Sequence, residues 1–184
     1  MKYKRKYKIV ILLLLFLTIF YLYFNRTPVR SNSIYSSNII LSPCDGTVMF
    51  AEGRNISIFL SPFDVHAQYS PIDGFIKDIE VIHGKAHMAN KPESIHNEGV
   101  KVIFSSDVGD IEVVQRVGFF VRRIQNYIKV NDFVKRGENY GKINLGSRVD
   151  ILLPLNYTTN LQIGQKVLAG ITKIIQWFKK FQLQ

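Results

Sequence analysis

From residue 39 onward the chain never runs far without a turn residue, and this rhythm most constrains what it can fold into. The segments 39–41, 47–51, 56–59, 74–83, 100–104, 111–117, 126–130, 142–144, 149–153 and 165–169 are rich in Ile, Val and Phe, and Gly, Pro, Asn or Asp bound them. Long packed helices cannot be built from such short pieces, whereas β-branched and aromatic residues suit a half-buried pleated surface. The pattern predicts a mainly β (α+β) domain over 39–184 with few short helices. Helix is expected over 118–125. It is also expected at the C-terminal end, where Ile171, Ile174, Ile175 and Phe178 recur at helical spacing. With 184 residues there is material for one compact core.

The N-terminal end reads differently. A basic tract over 1–8 precedes an uncharged run over 9–24, followed by a Ser- and Asn-rich linker over 30–38. As a helix the uncharged run is about 24 Å long, a little short of the roughly 30 Å hydrocarbon core. No A-x-A-like cleavage region follows it, and Tyr21, Tyr23 and Phe24 suit an interfacial belt, so residues 1–29 read as a retained membrane anchor. The positive-inside rule puts the leading cations in the cytoplasm and the domain across the membrane; a segment that does not fully cross would leave the domain in the cytoplasm. A bacterial inner membrane is the expected location. The formal charge is +10, but seven cations and no acidic residue lie in the first thirty positions, which leaves the remainder near +3. That balance points to a membrane surface and away from nucleic acid.

Cys44 is the only cysteine, so the chain can form neither an internal disulfide nor a thiolate metal cluster. His83 and His87 have a metal-compatible spacing only on a helix, and Gly84 and Pro92 argue for strand and loop there. No metal is expected.

Four patches carry candidate chemistry. Ser42-Pro43-Cys44-Asp45-Gly46 specifies a turn at the mouth of a strand, and Ser70-Pro71-Ile72-Asp73-Gly74 repeats it. Phe63-Asp64-Val65-His66 lies between the two copies, and Leu145-Gly146-Ser147-Arg148-Val149-Asp150 carries a turn into a strand. Asp45, His66 and Ser147 are the residue types that activate a hydroxyl: a base for the serine and a carboxylate for the base. The G-x-S-x-G elbow of ordinary ester hydrolases is absent around Ser147. Residues 128–143, with turns at Asn131-Asp132 and Gly137, resemble an element of barrel-sandwich hybrid domains.

Taken together, these patches resemble the phosphatidylserine decarboxylase family, in particular its shorter branch with a single histidine. Val114-Gln115-Arg116-Val117-Gly118, Arg122-Arg123-Ile124 and Val134-Lys135-Arg136-Gly137-Glu138 add to the likeness. The resemblance implies a lyase free of pyridoxal phosphate that cuts itself between Gly146 and Ser147, giving chains of 146 and 38 residues that stay associated. Ser147 would attack the Gly146 carbonyl, and elimination would convert it to a covalent pyruvoyl group. That group would form a Schiff base with the amine of a phospholipid substrate and act as electron sink while phosphatidylserine becomes phosphatidylethanolamine. Asp45 and His66 would assist cleavage, and His66 would also transfer protons. A homo-oligomer is compatible with the resemblance.

Two positions depart from the family pattern. Tyr69 stands where the longer branch has a second histidine, and Gly99 stands where the family usually has arginine, with Arg122, Arg123 and Arg148 as candidate substitutes. A membrane-anchored β adaptor that never cleaves, or a family member that has lost processing, are the alternative readings.

Overall fold

The computed structural model describes residues 2–30, 39–119, 123–144 and 147–177. Its one α-helix, α1 (Lys2–Phe24), takes in most of the basic tract as well as the apolar run. The apolar part, Lys6–Phe24, is 19 residues long and only 6% buried. At about 1.5 Å per residue it is about 28 Å long, enough to cross a bilayer. In chain order the strands are β1 (Gly46–Glu52), β2 (Asn55–Leu60), β3 (Ala67–Tyr69), β4 (Gly74–Ile82), β5 (Gly99–Ser106), β6 (Gly109–Arg116), β7 (Ile124–Asn126), β8 (Phe133–Val134), β9 (Asn139–Ile143), β10 (Ser147–Leu152), β11 (Tyr157–Thr158), β12 (Lys166–Val167) and β13 (Gln176–Trp177). The chain is therefore mainly β, as its punctuation predicts.

Eight strands form one open antiparallel sheet in the order β12-β1-β2-β10-β6-β5-β4-β8. A second sheet runs β3-β9-β7, and β11 pairs β13. Strict alternation shapes the large sheet. In β6, Ile111, Val113 and Gln115 point inward while Glu112, Val114 and Arg116 point out. The main core gathers Ile56, Ile58 and Leu60 of β2, Phe104 of β5, Val149 and Ile151 of β10, and Tyr140 and Ile143 of β9.

The strand order is palindromic about its centre, with β12-β1-β2-β10 mirroring β8-β4-β5-β6, and each half carries one copy of the S-P-x-D-G turn. In each copy the serine hydroxyl donates to the carbonyl two residues on, Ser42 to Cys44 and Ser70 to Ile72, both at 2.7 Å. In each, the aspartate accepts a backbone N–H from beside an edge strand: Asp45 from Ala169 at 2.7 Å, Asp73 from Arg136 at 2.9 Å. Each glycine then opens a strand against a neighbouring backbone, leaving no room for a side chain. A Cβ at Gly46 would lie 2.4 Å from the Phe59 carbonyl oxygen, and one at Gly74 would lie 2.3 Å from that of Ser105.

Two expected helices are not formed among the described residues. Arg123 precedes strand β7, which pairs with β9 because Gly141 leaves room: a Cβ there would meet the Gln125 oxygen at 2.5 Å. At the C-terminal end, Gly170 (φ 63°) starts a turn. The chain then extends, with Ile174 N–H donating to the Ile40 carbonyl and Lys173 bridging Leu41. Pairing with distant strands outcompetes the local helical spacing of Ile171, Ile174 and Ile175, and Phe178 lies outside the described residues. Asn131 (φ 74°) and Gly137 (φ 78°) make the turns expected within 128–143, but of the strand expected over 126–130 only Asn126 lies in β7, with the Tyr127 N–H adding one bond to the Tyr140 carbonyl of β9.

Gly74→Ala should abolish soluble folded protein, because the added methyl meets backbone that cannot move without breaking β4–β5. Val81→Ala on the exposed side of the same strand should change thermal stability by about 0.5 kcal/mol or less. Circular dichroism melting of the two variants checks both outcomes.

Candidate active site

Ser147 is the first residue of β10, directly opposite Leu60, the last of β2. His66 follows Leu60 after a short loop, and its carbonyl accepts the N–H of Ile143, the last residue of β9. These two pairings put the segment over 61–65 beside the start of β10 and the end of β9, so Ser147 and His66 belong to the same end of the fold. Both are fully buried, and neither Ser147 Oγ nor His66 Nε2 has a hydrogen-bond partner among the described residues. Unpartnered buried polar atoms are costly and uncommon, so each of these two atoms is a candidate for chemistry. Leu145 and Gly146, and Arg122 further away, lie outside the described residues.

The imidazole's state follows from its neighbours. Nδ1 lies 2.9 Å from the Asp64 carbonyl oxygen. A carbonyl only accepts, so Nδ1 carries the proton and Nε2 carries the free lone pair. Burial lowers the His66 pKa to about 4, and the nearby Lys142 and Arg26 push the same way; the bond to Asp64 and its charge oppose them. At neutral pH the ring is therefore an uncharged base with its lone pair free.

Asp45 is buried at the same end of the sheet, one residue before β1, but it does not hold the histidine. Among the described residues its carboxylate accepts from the Ala169 N–H at 2.7 Å and from Arg30 at 3.1 and 3.2 Å. Burial raises its pKa, against the lowering effect of the Ala169 and Arg30 contacts. The orientation expected from a carboxylate is supplied to His66 by the Asp64 backbone.

The segment after α1 closes over this site. The Phe24 ring packs on the His66 ring with centroids 4.4 Å apart. Tyr23 and Arg26 both donate to the Phe63 carbonyl, at 3.2 and 2.7 Å, and Arg30 ends the segment on Asp45. Tyr69, the residue at the second-histidine position, donates its hydroxyl to the Pro28 carbonyl at 2.6 Å, so it anchors this segment. Phe24 and Arg30 lie in stretches that read as anchor and linker, and nothing local in the sequence links them to residues 45 and 66.

Gln115, part of the family likeness but not a candidate site residue in the sequence, also stands out. It is fully buried, both its amide atoms lack partners, and it acts on the neighbouring Tyr140 hydroxyl, whose pKa burial drives far up. The visible signal was a glutamine at an inward position of β6. Arg148 is committed elsewhere: it donates to Asp150, Ser57 and Ser94 at 2.7, 2.9 and 3.1 Å, and Arg116 donates to Asp150 at 2.7 Å. These groups floor a cavity of about 760 Å³ on the face of β10 opposite Ser147. Gly99 is dictated by packing, since a Cβ would lie 2.4 Å from the Gln115 carbonyl oxygen. His83 and His87 belong to no metal-binding cluster among the described residues.

The architecture is an open β scaffold with a buried hydroxyl and an uncharged imidazole stored at one end. The chain belongs to the phosphatidylserine decarboxylase family, whose model matches residues 49–175. It is 37% identical to the phosphatidylserine decarboxylase proenzyme of Streptomyces avermitilis, over 83% of this chain and 72% of that one. The proenzyme of the same name from Ralstonia nicotianae is 36% identical, over 87% and 80%. A Methanosarcina barkeri protein named "Putative archaetidylserine decarboxylase proenzyme" is 38% identical, over 89% and 80%.

Because His66 binds its proton near pH 4 when folded and near about 6.5 when unfolded, the unfolded chain holds the extra proton between those values. Stability should be complete above about pH 6.5 and fall as pH drops towards 4. Melting the Ser147→Ala chain across pH 4–8 should show this slope, and His66→Gln in the same background should flatten it.

Proposed function

We propose that this chain is a self-processing enzyme that decarboxylates phosphatidylserine to phosphatidylethanolamine through a pyruvoyl group made from Ser147. The reading is carried by the unpartnered pair, Ser147 Oγ and His66 Nε2, in a chain whose relatives are named decarboxylase proenzymes. Ser147 gives its proton to His66 Nε2 while Oγ attacks the carbonyl carbon of Gly146. The peptide C–N bond breaks, the Ser147 nitrogen takes up the proton, and the chain is joined through an ester. Loss of the Ser147 Cα proton then expels the Gly146 carboxylate from Cβ. Water replaces the resulting enamine nitrogen, which leaves as ammonia.

Residue 147 fits the group this produces, being small, buried and held at the head of a strand with its side-chain oxygen unpartnered. When formed, the pyruvoyl group supplies an electrophilic carbonyl for the substrate amine and a sink for the electron pair that departing CO2 leaves. His66 is the residue that moves protons at this position, and Phe24 keeps water from its face. The cut yields chains over 1–146 and 147–184. They stay together because β10 is hydrogen-bonded to β2 on one side and β6 on the other, with Val149, Ile151 and Leu153 in the core. The apolar helix α1 serves as the anchor in the cell membrane that holds the substrate, the inner membrane in a bacterium.

Intact-mass measurement tests the reading. Wild type should give two chains, the smaller one blocked at its N-terminus, and Ser147→Ala should stay at 184 residues. His66→Ala should slow cleavage by about 10²-fold or more. An intact wild-type chain after folding would overturn the proposal.

A further inference from the structure

A cleft of about 560 Å³ lies between α1 and the edge of the β3-β9-β7 sheet. One wall is Leu17, Phe20, Tyr21 and Phe24, which recur at i, i+3, i+4 and i+7 and so form a single helix face. The other wall carries Arg123 and Lys142. We infer that this cleft binds the phosphodiester of a membrane phospholipid, with Arg123 and Lys142 contacting the phosphate and the α1 face lying along the acyl chains. The inference rests on the reading of the chain as a phospholipid decarboxylase and assigns the substrate's phosphate and tails a place.

Charge complementarity supports a single anionic occupant. No residue lining the cleft is acidic, and among the described residues no carboxylate forms an ion pair with Arg123 or Lys142. Lys142 instead bonds the Asn25 side-chain oxygen and lies 5.4 Å from the centre of the Phe24 ring. Partial burial lowers its pKa, so a bound anion would compensate a charge that is now poorly solvated. Arg123 is preplaced: with the Gln125 amide turned so that its oxygen faces the guanidinium, that oxygen accepts from it at 3.1 and 3.3 Å. Arg–phosphate contact is the geometry a planar guanidinium serves well.

The membrane argument gives the same orientation. From Phe24 back to Leu17 the helix rises about 10 Å, so the apolar wall climbs from the headgroup level into the hydrocarbon. Phe63, which is 67% exposed, has its carbonyl gripped by Tyr23 and Arg26 beside the helix end. The cationic wall therefore stands at the depth where a lipid's phosphate sits. It also stands next to the chemistry. The Arg123 carbonyl accepts the Asn144 N–H, Lys142 precedes the residue bonded to the His66 carbonyl, and Asn144 stands three positions before Ser147 in the sequence.

Native mass spectrometry of the full chain in detergent, with phosphatidylglycerol and diacylglycerol as probes, tests the site without requiring turnover. Wild type should retain one phosphatidylglycerol and no diacylglycerol. Arg123→Gln and Lys142→Gln should each weaken retention about tenfold, the scale of one charge-assisted hydrogen bond, and Lys142→Arg should restore it. In micelles the same variants, still cleaved into two chains, should raise KM for phosphatidylserine about tenfold and move kcat less. Equal retention of diacylglycerol, wild-type affinity in both glutamine variants, or loss of lipid on Arg116→Gln in the larger cavity instead would overturn the inference. If wild type were never cleaved, the decarboxylase reading would fall, while the retention measurements would still decide whether the cleft binds lipid phosphate.

Discussion

Strand β10 is hydrogen-bonded along both edges, to β2 over Ser147–Leu152 and to β6 over Arg148–Leu152. Everything else in the site depends on this double pairing, because it fixes residue 147 in space whatever happens to the bond before it. A terminal or edge strand would fray on being cut, whereas a central strand keeps its ladder and its buried side chains. The palindromic sheet makes the point sharper. In one half, Gly109 faces Ser106 across a tight turn between β5 and β6. In the other half, the corresponding ends, Leu60 and Ser147, are not joined by a turn. The chain between them leaves the sheet, builds the rest of the domain and returns. The opened end is where His66 can be brought beside Ser147.

The surroundings of His66 keep its ring uncharged in two ways. Burial is the larger influence, and two cations, Lys142 and Arg26, act in the same direction. A carboxylate bonded to Nδ1 would have opposed both by favouring the charged ring. Using the Asp64 backbone carbonyl fixes the same tautomer at a smaller electrostatic cost. Asp45 is then left to bind Arg30 and the Ala169 amide, which secures the segment that covers the histidine.

Much of the sheet was legible in the sequence because its strands alternate and end in turn residues: β1, β2, β4, β5, β6 and β10 all fall in apolar segments bounded by Gly, Pro, Asn or Asp. The short strands of the second sheet were not, since β3, β7 and β9 are specified by a distant partner and by the room Gly141 leaves. The same holds for the residues after Gly170, where local spacing suggested a helix and pairing with residues 40–41 prevailed. Asp45, His66 and Ser147 stood out as residue types in recognisable turns. Phe24 and Arg30 did not, because a side chain fifteen or more residues away, in a stretch that reads as membrane anchor or linker, gives no periodic signal of contact.

The duplicated S-P-x-D-G turn separates what the fold requires from what the chemistry requires. Asp45 and Asp73 make equivalent bonds to a backbone N–H, and each has an arginine nearby, Arg30 at 3.1 Å and Arg136 at 3.9 Å. The turn alone therefore produces no site. Asp73 is exposed, whereas Asp45 is buried under the chain that descends from α1. That chain brings Phe24 onto His66, Pro28 onto Tyr69 and Arg30 onto Asp45 in one pass. An anchor that only tethered the domain would need none of these contacts. Joined this way, the apolar helix also forms the roof of the site, so its placement on the domain and the burial of His66 are set by the same few residues.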